Sequence, residues 1–366
     1  MRVLVVNAGS SSVKLSVLDG EQLIAGHELA AERARVDPER LADAVTELGP
    51  VDAVGHRIVH GGAQFRDPVL VDPEVVQALT ELSSLAPLHQ AKSLDALAAV
   101  SDALPGVPAI ACFDTAFHAT LPAAAHTYAL PEAWRERWGL RRYGFHGLAH
   151  AYAVRRAGEL LRRPLAGLRV VTCHLGAGAS LAAVQDGRSV DTTMGFTPLD
   201  GLVMATRSGS LDPGMLLWLL ECTGLREHEL AEVLEHESGL RALSGNADMR
   251  TIVRDADRGD PRATLALGVY EHRLRASIAA MTAAMNGLDA LVFCGGVGQR
   301  SAAVRARAVT GLTFLGVTID APANERANGD RDVTGSGSRV RTLVLEARED
   351  LEIARQVRGL LGAPTN

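Results

Sequence analysis

The sequence predicts an α/β protein built from two similar halves, and three observations lead to this prediction. Apolar strands alternate with helical patterns along the chain, which is typical of a mainly parallel sheet. Gly-rich turns follow several of these strands. A segment near the N-terminus also recurs, without a gap, in the middle of the chain. Two domains fit a length of 366 residues, at roughly 100–200 residues per domain.

The recurring segment covers residues 3–20 (VLVVNAGSSSVKLSVLDG) and residues 170–187 (VVTCHLGAGASLAAVQDG). Each copy has an apolar strand that ends on a polar residue, a glycine turn, a second strand and an Asp-Gly pair suited to a type I′ hairpin. The polar residues are Asn7 and His174, and the pairs are Asp19-Gly20 and Asp186-Gly187. A chance match of two apolar patterns is the alternative. We expect the same strand–turn–strand unit in two different sheets.

Other elements follow from hydrophobic periodicity and from the positions of glycine and proline. Helices are predicted over residues 38–48, 73–85, 92–100, 216–222, 228–235 and 263–285. Strands are predicted over residues 53–59, 109–113 and 290–294.

Composition restricts the partners of the protein. A net charge of −6 without a block of Lys or Arg argues against nucleic acid and against a membrane surface. The apolar N-terminal run is too short for a signal peptide, and we expect a cytoplasmic protein. The four cysteines are far apart and form no CxxC pair, so we expect buried free thiols.

Polar residues after apolar strands are the candidate ligand contacts, because ligands of such sheets bind at the carboxyl ends of the strands. The turn over residues 7–12 offers backbone N–H groups that could surround a phosphate, with a plain hairpin turn as the alternative. Arg57 shares a strand face with Val59, which suits a carboxylate with a short alkyl tail. A surface ion pair is the other interpretation of Arg57.

Asp114 follows an apolar strand, where it could be a metal ligand, a base or a helix N-cap. His146 lies between two glycines and has a structural role as its alternative. The loop over residues 194–209, rich in Gly and Pro, delivers Arg207. The Gly-rich turns at residues 174–178 and 295–298 are each a common pattern, so their joint occurrence carries more weight than either alone.

Taken in order, the longer motifs resemble the acetate kinase family over nearly the whole chain. They are NAGSSSVK, GHRIVHGG, LAPLH, FDTAFH, RRYGFHG, HLGAGAS, TPLDGLVMATRSG, ADMR, FCGGVG and the stretch 349–354. The resemblance implies a duplicated actin-like (ribonuclease H-like) two-domain fold, with mixed sheets flanked by helices and an interdomain active-site cleft. The implied domains are residues 1–149 and 150–349, with a C-terminal helix at about 350–366 completing the first.

The same resemblance implies a reversible, direct in-line transfer of the ATP γ-phosphate to acetate, giving acetyl phosphate and ADP. It implies Mg²⁺ (or Mn²⁺) held by Asn7 and Glu349, and a homodimer. The implied catalytic residues are Asp114, His146, Arg207 and Arg57. The implied acid-binding residues are Arg57, Val59, Leu88, Phe145 and Pro198. The implied nucleotide contacts are Lys14, His174, Leu175, Gly176, Ala177, Gly178, Asp248, Met249, Arg250, Gly296, Val297, Gly298, Gln299 and Arg300.

Several positions depart from the family pattern. The family usually has Asn at Ala177, Glu and Asn at Gln299 and Arg300, Asp at Ser210, and Asn-Pro at Gln90 and Ala91. Three hypotheses therefore stay open: an acetate kinase that uses ATP, a related carboxylate kinase, and a non-catalytic nucleotide-binding relative. The second would phosphorylate propionate or butyrate, or would use pyrophosphate in place of ATP as the phosphoryl donor. Retention of all the implied catalytic and metal-binding residues speaks against the third.

Overall fold

The computed structural model describes residues 1–9, 12–30, 37–85 and 87–362, without the side chains of residues 38, 84, 85 and 87–89. Residue contacts divide the chain into two compact units. The first unit contains Met1–Ala119, Phe145–Tyr152 and Arg348–Asn366, and the second contains Thr120–Gly144 and Ala153–Ala347. The resemblance implied domains that end at residues 149 and 349. Division of the chain by residue contacts does not test where a separately folding domain ends, so these limits stay a prediction.

The described residues form twelve strands and fifteen α-helices. The strands are β1 (Arg2–Ala8), β2 (Ser12–Asp19), β3 (Gln22–Ala30), β4 (Ala53–Ile58), β5 (Val69–Leu70), β6 (Ala109–Phe113), β7 (Arg169–Leu175), β8 (Ala179–Gln185), β9 (Arg188–Thr192), β10 (Ala290–Cys294), β11 (Arg331–Asp332) and β12 (Arg341–Val344).

The helices are α1 (Pro38–Glu47), α2 (Pro73–Glu81), α3 (Pro87–Ala103), α4 (Ala123–His126), α5 (Glu132–Trp138), α6 (Gly147–Leu161), α7 (Pro213–Cys222), α8 (Glu227–Glu232), α9 (Gly239–Ser244), α10 (Met249–Asp257), α11 (Pro261–Ala284), α12 (Gly295–Arg300), α13 (Ala302–Thr310), α14 (Ala321–Glu325) and α15 (Glu349–Leu360).

The first unit contains a six-stranded sheet in the order β3-β2-β1-β4-β6-β5. Strands β1, β4 and β6 are parallel neighbours, so their carboxyl ends meet at one edge. Side chains of β1 alternate between two buried faces: Val3 and Val5 pack with Ile353 of α15, whereas Leu4 and Val6 lie in a second core cluster. Burial on both faces explains the continuous apolar run of this strand.

The second unit contains a six-stranded sheet in the order β11-β12-β10-β7-β8-β9, with β7, β10 and β12 parallel. Its longest helix, α11, begins at Pro261 because the Asp260 carboxylate accepts the Ala263 N–H at 2.7 Å. One side of this helix, which includes Tyr270 and Leu274, is buried.

The two copies of the repeat lie in different sheets, as predicted: β1 and β2 in the first unit, β7 and β8 in the second. Asp186 and Gly187 have φ angles of 55° and 76°, as a type I′ turn requires. The prediction for the first copy is wrong, because Asp19 pairs with Gln22 and the turn consists of the two residues between them.

A difference in pairing explains this shift. Ala8 pairs with Val13, which leaves four residues between them, whereas Leu175 pairs with Ala179, which leaves three. The connection between β1 and β2 is therefore one residue longer than the connection between β7 and β8. Each later position of β2 is shifted by one residue relative to the corresponding position of β8, and the turn that follows is shifted with it.

Predicted and observed elements otherwise differ mainly at their ends. The helix predicted over 92–100 is α3, which starts five residues earlier, at a proline that suits a first helical position. The helix predicted over 228–235 ends at Glu232 and continues as a π-helical turn, Val233–Glu237.

Strand β4 ends at Ile58, so Val59 lies one residue beyond the strand. The alternation argument that placed Arg57 and Val59 on one strand face therefore does not apply.

Three of the four cysteines, Cys112, Cys173 and Cys294, are buried free thiols as predicted. The prediction is wrong for Cys222, which is exposed at the end of α7. This helix exposes most of its surface, so its last residue has no core to enter. Across the described part of the chain, no helix is both long and apolar enough to span a membrane.

Two histidines of the first unit, His56 and His60, are buried, and burial disfavours the charged form of an imidazole. Burial lowers the pKa of His56 to about 3 and that of His60 to about 4. The Nε2 atom of His56 makes no hydrogen bond to the described residues. Folding therefore requires these imidazoles to be neutral.

This requirement predicts a loss of stability in acid. In the unfolded chain His56 takes up a proton below about pH 6.5, but in the folded chain only near pH 3, so the unfolded state binds more protons in between. The free energy of unfolding should fall by up to roughly 1.4 kcal/mol per pH unit for this group. Urea unfolding of His56→Leu between about pH 6 and 4.5 should show a slope smaller by about 1 kcal/mol per unit. His228→Leu, at an exposed position, should keep the wild-type slope, and equal slopes in all three proteins would contradict this account.

Candidate active site

Three of the predicted site residues lie in the first unit at the carboxyl ends of neighbouring parallel strands. Asn7 is near the end of β1, Arg57 is near the end of β4, and Asp114 directly follows β6. The Asp114 N–H donates to the Ile58 carbonyl at 3.0 Å, which continues the sheet pairing by one residue. The topology of the sheet therefore brings together residues that are up to 107 positions apart, from Asn7 to Asp114.

Arg57 is the centre of this group. Its Nε and Nη2 atoms donate to Asp114 Oδ2 at 3.0 and 2.6 Å, and its Nη1 donates to Asn7 Oδ1 at 3.0 Å. A guanidinium has five N–H donors, so these contacts leave one donor on each terminal nitrogen. Two such donors form the fork that binds a carboxylate or a phosphate through two hydrogen bonds.

Glu349 joins the same group from the first turn of α15. Its Oε2 atom accepts a hydrogen bond from Asn7 Nδ2 at 2.9 Å and lies 3.8 Å from Arg57 Nη1. Gly55 permits this approach: a Cβ atom there would lie 2.5 Å from Ile353 Cγ2 and 2.8 Å from Val357 Cγ2. Only a glycine in β4 lets α15 pack this closely, and the sequence pattern gave no sign of it.

The charges of this group depend on one another. Burial opposes the charge on Arg57, but the carboxylates of Asp114 and Glu349 hold the pKa of Arg57 above its ordinary value. Burial raises the pKa of Asp114, and Glu349 adds to that effect, while Arg57 opposes it. A backbone interaction with Leu148 also favours the charged form of Asp114. Asp114 therefore orients Arg57 through Oδ2, and the backbone of α6 helps to hold the carboxylate.

His146 lies in a turn that docks on the strand end of Asp114. Its φ of 57° is in the left-handed region, which is uncommon for a residue other than glycine. The next residue, Gly147, donates its N–H to the Asp114 carbonyl at 2.8 Å, and a Cβ there would overlap that oxygen. His118 Nε2 lies 3.0 Å from the Phe145 carbonyl and, since a carbonyl only accepts, must donate to it. The sequence placed His146 but missed His118.

Of the other predicted acid-binding residues, Val59 and Phe145 are buried in the first unit. The Leu88 side chain lies outside the described side chains, although its backbone belongs to α3. Pro198 lies in the second unit, where its carbonyl accepts a hydrogen bond from Arg207 Nη1 at 3.3 Å.

The loop that carries Arg207 is held by backbone hydrogen bonds. The Met204 N–H donates to the Arg207 carbonyl at 3.1 Å, and the Ser238 N–H donates to the Thr206 carbonyl at 2.9 Å. Gly239, with φ of 62°, leaves room for the Arg207 carbonyl, which a Cβ would approach to 2.6 Å. Burial lowers the pKa of Arg207, and Glu235 opposes that effect. The protein thus holds a partly desolvated cation on a fixed loop.

Apart from Lys14, which is in the first unit, the predicted nucleotide residues fall into separate groups within the second unit. The loop between β7 and β8 closes with a hydrogen bond from Gly176 N–H to the Gly178 carbonyl at 2.9 Å. The Ala177 carbonyl accepts the Ala205 N–H at 3.1 Å, so this loop is tied to the loop of Arg207. His174 Nδ1 lies 3.8 Å from Cys294 Sγ on the neighbouring strand.

A second group is α12, which starts directly after β10 and contains residues 296–300. Arg305, which the sequence analysis missed, holds its end: Nη1 donates to the Gly298 and Gln299 carbonyls at 2.8 and 2.7 Å. Arg305 is fully buried and bonds Asn324 rather than a carboxylate, and burial lowers its pKa to about 10.

The remaining predicted contacts have partners that explain them without a ligand. Asp248 accepts the Arg250 N–H at 3.1 Å as the N-cap of α10, and it also pairs with the Arg250 side chain. Met249 between them is buried. Lys14 lies on the exposed side of β2, 3.8 Å from Glu28.

Comparisons with known proteins define the class. A solved acetate kinase from Porphyromonas gingivalis superposes with a TM-score of 0.90 at 34% identity, over 98% of this chain and 99% of that one. A propionate kinase from Francisella tularensis gives a TM-score of 0.90 at 34% identity, over 97% and 98%. The fold is thus the duplicated actin-like α/β fold, as the resemblance implied, and the protein is a phosphotransferase with a carboxyl group as acceptor.

The family follows from sequence. A family model described as the Acetokinase family matches residues 38–355. An acetate kinase from Synechococcus sp. is 43% identical, over 99% of this chain and 99% of its own length. The chain belongs to the acetokinase family, whose members take ATP or ADP as co-substrate.

The close approach at Gly55 predicts a specific stability effect. Gly55→Ala should lower the free energy of unfolding by about 1–3 kcal/mol, because its Cβ would overlap Ile353 and Val357. Chemical denaturation measures this change. In a background that already carries Ile353→Ala, the same substitution should cost less, since the Cγ2 atom it meets is gone.

Gly359→Ala in α15 is the matched control. No atom lies within 4 Å of a Cβ at Gly359, so alanine there should stabilise the helix by about 0.4–1 kcal/mol. A Gly55→Ala protein as stable as the wild type would show that α15 does not pack on β4 in this way.

Proposed function

We propose that this protein catalyses the reversible, Mg²⁺-dependent transfer of the ATP γ-phosphate to acetate, giving acetyl phosphate and ADP. The observation that carries the proposal is the largely buried group of Asn7, Arg57 and Asp114 at the ends of three parallel strands, joined by Glu349 of α15. It combines a guanidinium fork for an anion with several oxygen atoms suited to a hard cation.

The chemistry requires alignment more than proton transfer. An acetate oxygen forms a new bond to the γ-phosphorus while the bond from that phosphorus to the β–γ bridging oxygen breaks, and ADP leaves. Acetate is ionised at neutral pH, since carboxylic acids titrate near pH ~4, so no base has to remove a proton. This favours Asp114 as a group that orients Arg57, in agreement with the two hydrogen bonds between them.

Charge accumulates on the oxygens of the moving phosphoryl group, and hydrogen-bond donors and cationic side chains stabilise it. His146 and Arg207 are the residues we assign to this role. Each is held by its backbone, His146 in a left-handed turn and Arg207 in a loop tied to neighbouring segments. Fixed donors of this kind need no reorganisation during the reaction.

The oxygen atoms of the first-unit group fit a magnesium ion. Mg²⁺ is usually bound by one or two carboxylates together with water and substrate phosphates, rather than by a cage of protein ligands. Among the described residues no three His, Cys, Asp or Glu side chains form a metal cluster. We assign the ion to Asn7 and Glu349, whose side chains are joined by a hydrogen bond of 2.9 Å from Asn7 Nδ2 to Glu349 Oε2. A bound Mg²⁺ would neutralise phosphate charge.

We assign the nucleotide to the second unit, at the loop of residues 176–178 and at α12. Ala177 lacks the amide that the family pattern has there, which removes a hydrogen bond ordinarily worth about 0.5–1.5 kcal/mol. This change affects affinity or nucleotide choice more than the transfer step. Gln299 replaces an acid, and its Nε2 lies 3.5 Å from Glu346 Oε1.

The acid is the open part of the proposal, since the solved relatives include an acetate kinase and a propionate kinase with the same TM-score of 0.90. A propionate kinase is therefore the second candidate. One assay separates the possibilities: purified protein with acetate, propionate or butyrate and with ATP, GTP or pyrophosphate, the acyl phosphate being trapped as hydroxamate. We expect the highest kcat/KM for acetate with ATP, and absence of product from every pair would refute the proposal.

We also propose a homodimer in the cytoplasm. The support for the dimer is the apolar surface of α7, where Met215, Leu217 and Trp218 are exposed. Leu265 of α11 is exposed as well. Large apolar side chains grouped on a surface are typical of an interface.

Arg207 and Arg57 should give different kinetic signatures. If Arg207 meets charge that develops during transfer, Arg207→Ala should lower kcat and kcat/KM together by about 10³-fold or more, with little change in the nucleotide KM. Arg57→Ala should also raise the acetate KM, and Arg57→Lys should restore little because the fork is lost. Near-normal kcat of a folded Arg207→Ala protein, checked by circular dichroism, would remove Arg207 from the mechanism.

Val59 should limit the length of the acid. Val59→Ala makes room beside the proposed methyl group, and one methylene in such a pocket is worth about 1–3 kcal/mol. The propionate-to-acetate ratio of kcat/KM should therefore rise roughly 10-fold or more. An unchanged ratio would show that Val59 does not line the acid pocket.

A further inference from the structure

Gln90 is a fully buried side chain at a position where the chain departs from its family pattern. Its Oε1 atom accepts the His60 N–H at 3.2 Å, and its Nε2 atom donates to the His60 carbonyl at 3.0 Å. Nε2 also lies 3.5 Å from the Leu79 carbonyl. The amide thus holds both peptide groups of His60, and the first of these peptides is the one that joins Val59 to His60.

The His60 side chain is fixed as firmly as its backbone. Its Nδ1 atom accepts the Gly62 N–H at 2.8 Å, which sets the orientation of the ring. The ring also meets Phe145 edge to face, with centroids 5.4 Å apart. His60 therefore connects Val59 and Phe145, two residues that we assign to the acid pocket.

We infer that Gln90 is a positioning residue that sets acid selectivity, because it fixes through His60 the wall of the pocket that limits acyl chain length. This inference rests on the proposed function and deepens it. The alternative is that Gln90 only satisfies buried backbone groups, which would affect stability alone.

The experiment measures the propionate-to-acetate ratio of kcat/KM with ATP, for wild type and for Gln90→Met. Methionine has a similar volume but holds neither peptide group. The propionate-to-acetate ratio should rise about threefold or more in Gln90→Met. This is smaller than the roughly 10-fold or greater discrimination that one methylene can give, because the variant loosens the pocket wall without removing it. Ala96→Gly, in the same helix, is the control for lost stability and should leave the ratio unchanged.

Gln90→Glu provides a second test that does not depend on the Met variant folding. A carboxylate cannot donate to the His60 carbonyl, whereas a protonated carboxyl group again has one donor and one acceptor. Burial raises the pKa of an acid, so Gln90→Glu should gain its proton as the pH is lowered from about 8 to about 5.5. Its propionate-to-acetate ratio of kcat/KM, divided by the wild-type ratio at the same pH, should therefore fall toward 1.

The outcomes are distinct. If wild type is active but the ratio stays at the wild-type value both in Gln90→Met and in Gln90→Glu at every pH, the inference is wrong and Gln90 has only a structural role. A wild type that phosphorylates neither acid overturns the proposed function, and the inference with it.

Discussion

The largely buried charge of Arg57, whose side chain is 14% exposed, is the constraint on which the first unit depends. A guanidinium removed from water is costly unless it is paired and hydrogen-bonded, and here Asp114, Asn7 and Glu349 supply the partners. These residues come from three strands and from a helix near the other end of the chain. The sheet order, the glycine at position 55 and the packing of α15 can all be understood as ways of bringing these partners together.

The second unit uses a different means of fixing its functional groups. Backbone hydrogen bonds connect the loop at residues 176–178 with the loop of Arg207, and Arg305 holds the carbonyls at the end of α12. Arg207 Nη1 contacts the Pro198 carbonyl and the Met204 thioether, and Glu235 favours its charged form. A cation that the backbone holds in place needs little reorganisation when it meets developing charge.

Sequence patterns predicted the strands and the strand-end residues because both follow from local properties. Strands β6 and β10 have the limits that their apolar runs indicate, and Asp114 follows β6 as the pattern suggests. The turn after Asp19 was missed because the register of a hairpin depends on pairing across it. Gly55 was missed because only a contact with a distant helix makes a glycine necessary there.

Arg305 illustrates a signal that was present but not used. It shares a helical face with the buried residues Ala308 and Val309, so the periodicity of α13 already pointed it inward. Arginine is usually at the surface, and this general tendency outweighs periodicity when partners are unknown. Gln90 was recognised only as a departure from the family pattern, since its partner His60 is 30 positions away.

The distance along the chain between β4 and α15 has a consequence for synthesis on the ribosome. Ile353, which covers Gly55, is translated about 300 residues after it. At a synthesis rate of about 5–20 residues per second, this is a delay of roughly 15–60 s. During that interval this face of the sheet lacks α15, and only Leu148 and Tyr152 of α6 are available from the helices of its core cluster, so a nascent chain in this state is open to association with other apolar surfaces. The strands that carry the reactive groups are thus among the first parts to be translated and among the last to be enclosed.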